Sequence, residues 1–155
     1  MAIAVLLATT TLGRTQPSNG PAFTVASLKP SGSEHREMSF RVWPAGSCNV
    51  RNHSLTRLIS RAYELDVQQV LGGPDWIDDE RFDIVATFEP DAYAATDESR
   101  VRRMLQRLLW ERFALRLSTG RLPLEQLGLK LEARHGPVDV LVVTHAERLR
   151  ANGSR

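Results

Sequence analysis

NHSLTRLISRAYELDVQQVLGGPDWIDDERFDIVATF, from Asn52 to Phe88, carries a helical period, a glycine-proline turn and a strand period in one run. Leu55, Leu58, Ile59, Ala62 and Tyr63 fall at i, i+3, i+4, i+7 and i+8, which places them on one helical face. Ser54 stands just ahead of the first apolar residue, where its hydroxyl can accept a bond from a free backbone N–H. A short strand is expected next, and then Gly72-Gly73-Pro74-Asp75-Trp76 turns the chain. The two glycines allow positive φ, and Pro74 disfavours helix at Gly73. Beyond the turn, Phe82, Ile84, Ala86 and Phe88 alternate with Asp83, Val85 and Thr87, a period of two that predicts a strand with an aromatic inner face. Trp76 is expected to fold back over Leu55, Leu58 and Ile59 as a lid on a small core.

Working outward, Phe23, Val25 and Ser27 alternate with Thr24, Ala26 and Leu28 and predict a first strand closed by Lys29-Pro30. Met38, Phe40 and Val42 alternate with Ser39, Arg41 and Trp43; Pro44-Ala45-Gly46-Ser47 turns, and Cys48 to Arg51 returns as a hairpin partner. A second helix is predicted from about Asp97 to Ala114, with Val101, Met104, Leu105, Leu108, Leu109 and Phe113 inward and Thr96 or Asp97 as cap. Leu115 and Leu117 restart a strand, Arg121 to Gln126 reads as a polar join, and Leu129–Arg134 with Val138–Val143 reads as a hairpin turned by His135-Gly136-Pro137. That hairpin is expected to add to the sheet of Leu115 and Leu117, with one apolar face poorly covered.

Strands, helix, strand, helix and strands predict an α+β fold: a small mixed or antiparallel sheet, two main amphipathic helices and a C-terminal β-hairpin. Residues 21–148 form a single domain in this reading, with two clipped helix–strand–turn–strand units as the alternative organisation. Residues 1–20 read as a signal-like segment and linker, and 149–155 as a polar tail. Met1 to Leu12 is apolar, too short to span a bilayer, and similar to the core of a secretory signal, so the expected location is secreted or periplasmic.

The chain has 155 residues and a net charge of +2, a near balance that does not point to a nucleic-acid partner. Its one cysteine, Cys48, rules out an intramolecular disulfide and a cysteine zinc cluster. His35, His53, His135 and His145 are scattered, without the His-Glu-x-x-His spacing of a zinc helix, and there is no Gly-x-Ser-x-Gly elbow. Asp75, Asp78, Asp79, Glu80 and Asp83 crowd one loop, where they read as turn and cap carboxylates or, alternatively, as oxygen ligands for a hard cation. Arg100, Arg103 and Arg107 stripe the second helix with Arg102 beside them, a pattern expected of a solvated face. No catalytic, cofactor-binding or metal residue is assigned. The structural or interaction motif comprises Gly72, Gly73, Pro74, Asp75, Trp76, Arg81, Phe82 and Asp83.

Several of these segments together resemble one bacterial family. Phe23 to Pro30, Met38-Ser39-Phe40, Arg51-Asn52 with Leu55 to Tyr63, the GGPDW block with Glu80 to Ile84, Met104 to Gln106, Glu111 to Phe113, Leu127 to Glu132, Gly136 to Val140 and His145 to Arg148 carry the resemblance. It is to the soil-associated bacterial proteins of unknown function, whose modules also follow membrane metallopeptidase domains of the β-lactam-sensor type. The resemblance implies export and no established activity. Two departures stand out: a long segment usual between Ser118 and Leu124 is missing, and Leu149 stands where a proline is usual. The expectation is an exported, non-catalytic interaction module whose partner is an envelope protein or a peptide. The alternatives are a hydrolase or metal-dependent enzyme using Asp75–Asp83, or a non-functional shortened copy.

Overall fold

The computed structural model describes residues 20–34, 36–90, 98–123 and 137–150. The elements are β1 (Val25–Pro30), β2 (Ser39–Trp43), β3 (Ser47–Ser54), α1 (Leu55–Tyr63), β4 (Val70–Gly72), α2 (Trp76–Asp79), β5 (Arg81–Thr87), α3 (Glu98–Phe113), β6 (Arg116–Pro123) and β7 (Pro137–His145). They build two sheets: an antiparallel one in the order β1-β5-β3-β2, and a mixed one in the order β4-β7-β6. The fold is α+β, with two main helices and a C-terminal hairpin made by β6 and β7.

α1 forms where the periodicity places it. The Ser54 hydroxyl accepts from Arg57 N, and the helix ends at Glu64, whose left-handed φ of 54° lets Leu65 N donate back to Ser60 O. α3 buries Val101, Met104, Leu105, Leu108, Leu109 and Phe113, the apolar face read from the sequence. Gln106 Nε2 donates to Ala62 O at 2.7 Å and so satisfies a carbonyl at the end of α1. The inner face of the four-stranded sheet supplies Cys48, Val50, Phe82, Ile84 and Ala86, and the other sheet supplies Leu141 and Val143 to the same core.

Alternation sets the register. Ala26, Ala86, Cys48 and Val42 lie in one row across the sheet, and Leu28, Ile84, Val50 and Phe40 in the next. Between Val50 and His53 the register with β5 shifts by one residue, and Asn52 there has φ 55°. This β-bulge turns His53 and Ser54 inward at the start of α1.

Several expectations are revised or refined. Trp76 is only half-buried, and its ring lies 6.1 Å from Phe113 of α3; Ile77, at 2% exposure, takes the buried place beside it, because the turn closes as the short helix α2. The polar join at Arg121–Gln126 begins as strand: Arg121 to Pro123 continue β6 and pair with Asp139 to Pro137, supported by an Arg121–Asp139 ion pair at 2.9 Å. As expected, Val138–Val143 joins the sheet of Leu117, pairing with β6 from Leu117 to Leu122, while Leu129–Arg134 lies outside the described residues. Within β7 both alternations carry buried residues: Val140 is 2% exposed, Leu141 5% and Val143 3%. Leu149 is half-buried against the core, so the chain stays packed into the start of the segment read as a polar tail.

Candidate functional site

The GGPDW block is held tightly on β7. Gly73 has φ +82°, and a Cβ there would meet Ile77 Cδ1 at 2.7 Å and Val143 Cγ1 at 3.0 Å. Glycine is therefore what allows the turn to lie on that strand. Trp76 sits between Phe113 and the Arg148 guanidinium, which lies 5.7 Å from its ring centroid, and Arg148 Nε also donates to Glu80 at 2.7 Å. Phe82 is buried edge-on against Phe113 at 5.0 Å. Arg81 is exposed, and its carbonyl accepts from Ser31 N.

The five carboxylates of the same region do not converge. Asp78 accepts from the Thr56 hydroxyl, Glu80 pairs with Arg148, and Asp75 and Asp79 are exposed. Asp83 is buried at 6% exposure and accepts from Ser31 Oγ at 2.7 Å and from Asn52 N at 2.9 Å. It ties the end of β1 to the bulge of β3. Among the described residues no three His, Cys, Asp or Glu side chains come together as a group that could hold a metal ion. Asp83→Ala would orphan the Asn52 N–H, and a lost partner in a buried setting costs about 1–3 kcal/mol. A drop of about 2–3 kcal/mol in urea unfolding is expected; a drop below half a kcal/mol would refute this role.

Among the described residues His53 is the buried histidine, with its Nδ1 2.8 Å from Arg51 O. Burial holds its pKa below the usual 6.5, and the charges of Arg61, Arg57 and Arg81 push the same way, against the opposing bond to the Arg51 carbonyl. The unfolded chain then takes up a proton below about pH 6.5 that the folded chain resists. Stability is full above that pH and falls as pH drops towards the folded value. Urea midpoints at pH 7.5 and 5.5 should show a smaller loss in His53→Gln than in the parent; equal losses would refute it. Cys48 has its thiol pushed up to about 11 by burial, so it is protonated at neutral pH and no nucleophile.

Arg100, Arg102 and Arg107 of the helix are occupied. Arg102 pairs with Glu64 and Glu98, Arg107 with Glu111 and the Gly20 carbonyl, and Arg100 reaches Glu89 O. A different basic cluster lies on the outer face of the four-stranded sheet. There Arg41, Trp43, Asn49 and Arg51 form the floor of a depression of about 610 Å³, walled by Glu34, Arg36 and Glu37 of the loop between β1 and β2. Asn49 Oδ1 is buried in this floor without a hydrogen-bond partner among the described residues. The sequence carried a signal for this site in the outward alternation of β2 and β3, but only the pairing Asn49↔Arg41 and Arg51↔Ser39 joins the two rows.

Over residues 56–125 the chain is similar to a family described as "Protein of unknown function (DUF3738)", a match that spans α1 to β6 and leaves β1 to β3 outside it. No curated protein and no solved structure matches the chain.

Proposed function

We propose that the chain is a non-catalytic binding module of the bacterial cell envelope, exported through its apolar N-terminal segment, which recognises an envelope protein or peptide. The observation that carries this reading is the open outer face of the β1-β5-β3-β2 sheet. Val25 is 64% exposed, Val85 52% and Trp43 41%, and of these Trp43 stands among the arginines of the depression. An exposed aromatic beside arginine is the composition enriched where proteins bind one another. The resemblance to exported soil-associated proteins supports the export in this reading. The block of Gly72, Gly73, Pro74, Asp75, Trp76, Arg81, Phe82 and Asp83 serves it as a brace. The divergent carboxylates of Asp75–Asp83 lend no support to a hydrolase or a metal enzyme. No described helix is long and apolar enough to cross a membrane.

The test is photo-crosslinking in the producing bacterium, with a photoreactive residue at position 43 or, as control, at position 110, where Trp110 is similarly exposed on α3. A discrete adduct from position 43 alone, recovered in the envelope fraction, is expected. Adducts of equal yield from both positions, or recovery from the cytoplasm, would overturn the reading.

A further inference from the structure

We infer that β2 is a docking edge for an extended acidic segment of a partner protein, which adds as a fifth strand to the sheet and sets its carboxylates on Arg36, Arg41 and Arg51. This rests on the binding-module reading and names the surface and the chemistry of its partner.

Among the described residues the sheet order leaves β1 and β2 as its two edges. An unpaired edge presents backbone N–H and C=O groups to any strand that can align with it, and proteins commonly guard against this. β1 is guarded, because Arg112 of α3 reaches across and donates to Ala26 O at 3.1 Å. β2 has no such guard; among the described residues no side chain bonds to its backbone.

Charge then selects the partner. Arg36, Arg41 and Arg51 are exposed, and among the described residues none has a carboxylate within 4.0 Å, whereas Arg102, Arg107, Arg121 and Arg148 all do. Arg61, 5.1 Å over the Phe40 ring, lies on the other face of β2. Glu34 and Glu37 on the rim leave the depression net positive. Guanidinium groups free of internal partners favour carboxylates, which they can grip with paired hydrogen bonds.

Alternation fixes how the partner must read. Ser39, Arg41 and Trp43 of β2 point into the depression, while Phe40 and Val42 point to the core side and stay only half-buried. A strand laid beside β2 has the same period of two. Its outward residues meet Arg41 and Trp43, and its inward residues cover Phe40 and Val42. An alternating acidic and apolar segment satisfies both rows. A second copy of this chain does not, because antiparallel pairing of β2 about its middle would set Arg41 opposite Arg41, and like charges there destabilise.

The experiment uses the full chain and a fluorescein-labelled octapeptide that alternates Glu and Val, followed by anisotropy. Three further probes accompany it: the same peptide with Lys for Glu, a peptide of equal composition with its Glu and Val in two blocks, and the variant R41E/R51E. Binding of the alternating acidic peptide is expected, weakening with added salt. Affinity should fall by about tenfold or more for the block peptide and for R41E/R51E, with no binding of the Lys peptide. Equal affinity for the block peptide would overturn strand addition, and an unchanged affinity in a folded R41E/R51E would overturn the site. A dimer abolished by Val42→Pro would overturn the acidic partner in favour of a second copy. Failure of the peptide while position 43 still crosslinks would refute this inference and leave the module standing. Binding of the peptide without any cellular adduct would support the edge chemistry and remove the envelope reading.

Discussion

Gly46→Ala is expected to destabilise the chain by about 3–5 kcal/mol, in the range of losing a large core side chain. Gly46 has φ +90°, and a Cβ built there would lie 2.1 Å from the carbonyl oxygen of Phe88, with the Pro90 ring at 3.2 Å. Neither neighbour is the end of a flexible side chain. The left-handed backbone costs an alanine about 1–3 kcal/mol, and relieving the overlap costs about as much again. The substitution must also stretch the bond from Phe88 N to Gly46 O, 2.8 Å long, which pins the β2–β3 turn to the end of β5. For a chain of this size the fall in Tm should be about 10 °C or more. Gly32→Ala is the control: a Cβ there meets nothing within 4 Å, and its effect should lie within about half a kcal/mol. Similar urea midpoints for the two variants would refute the assignment.

Local pattern carried most of the fold. The faces of α1 and α3 and the alternation of β5 are properties of short windows, and a buried face dictates its own period. Ser54 and Gly72-Gly73 were readable for the same reason, because a cap and a left-handed turn are set by one or two residues. Partners far apart in sequence were not readable in this way. Nothing in Val70-Leu71-Gly72 says that it lies parallel to Leu141, Val142 and Val143; that Val138–Val143 joins the sheet of Leu117 was expected, but not that the strand of Leu117 runs on to Pro123 and pairs with it directly. The β-bulge at Asn52 was hidden too, since one extra residue in β3 looks like a lapse of alternation until Asp83 is seen to accept its N–H.

The candidate site was legible only in part. Crowding of Asp75, Asp78, Asp79, Glu80 and Asp83 is a fact of sequence, but a four-residue helix and the start of β5 send successive side chains in different directions, so nearness along the chain gives no shared ligand set. The reverse holds for Arg36, Arg41 and Arg51. They are spread over a loop and two strands, and antiparallel pairing with one face open brings them to a single depression. Residues on an outward alternation look like ordinary solvated surface until their neighbours across the sheet are known.

Phe113→Ala should cost about 3–5 kcal/mol, whereas Trp76→Ala, a larger deletion in volume, should cost about 1–2 kcal/mol. Burial sets this order. Phe113 is fully buried, with Phe82 edge-on at 5.0 Å and Trp76 at 6.1 Å, so its removal leaves a cavity that two rings fixed on other elements cannot fill. Trp76 lies outside that pair, half-buried, with Arg148 on its ring, and water can take back much of the space it vacates. If Trp76 were instead the lid over Leu55, Leu58 and Ile59, the order would reverse, because its loss would then open the α1 face. Phe113→Leu keeps much of the apolar volume and should recover more than half of the loss. Urea unfolding of the three variants followed by circular dichroism decides the matter. A loss in Trp76→Ala equal to or greater than that in Phe113→Ala would place the centre of the aromatic cluster at the turn rather than at the end of α3.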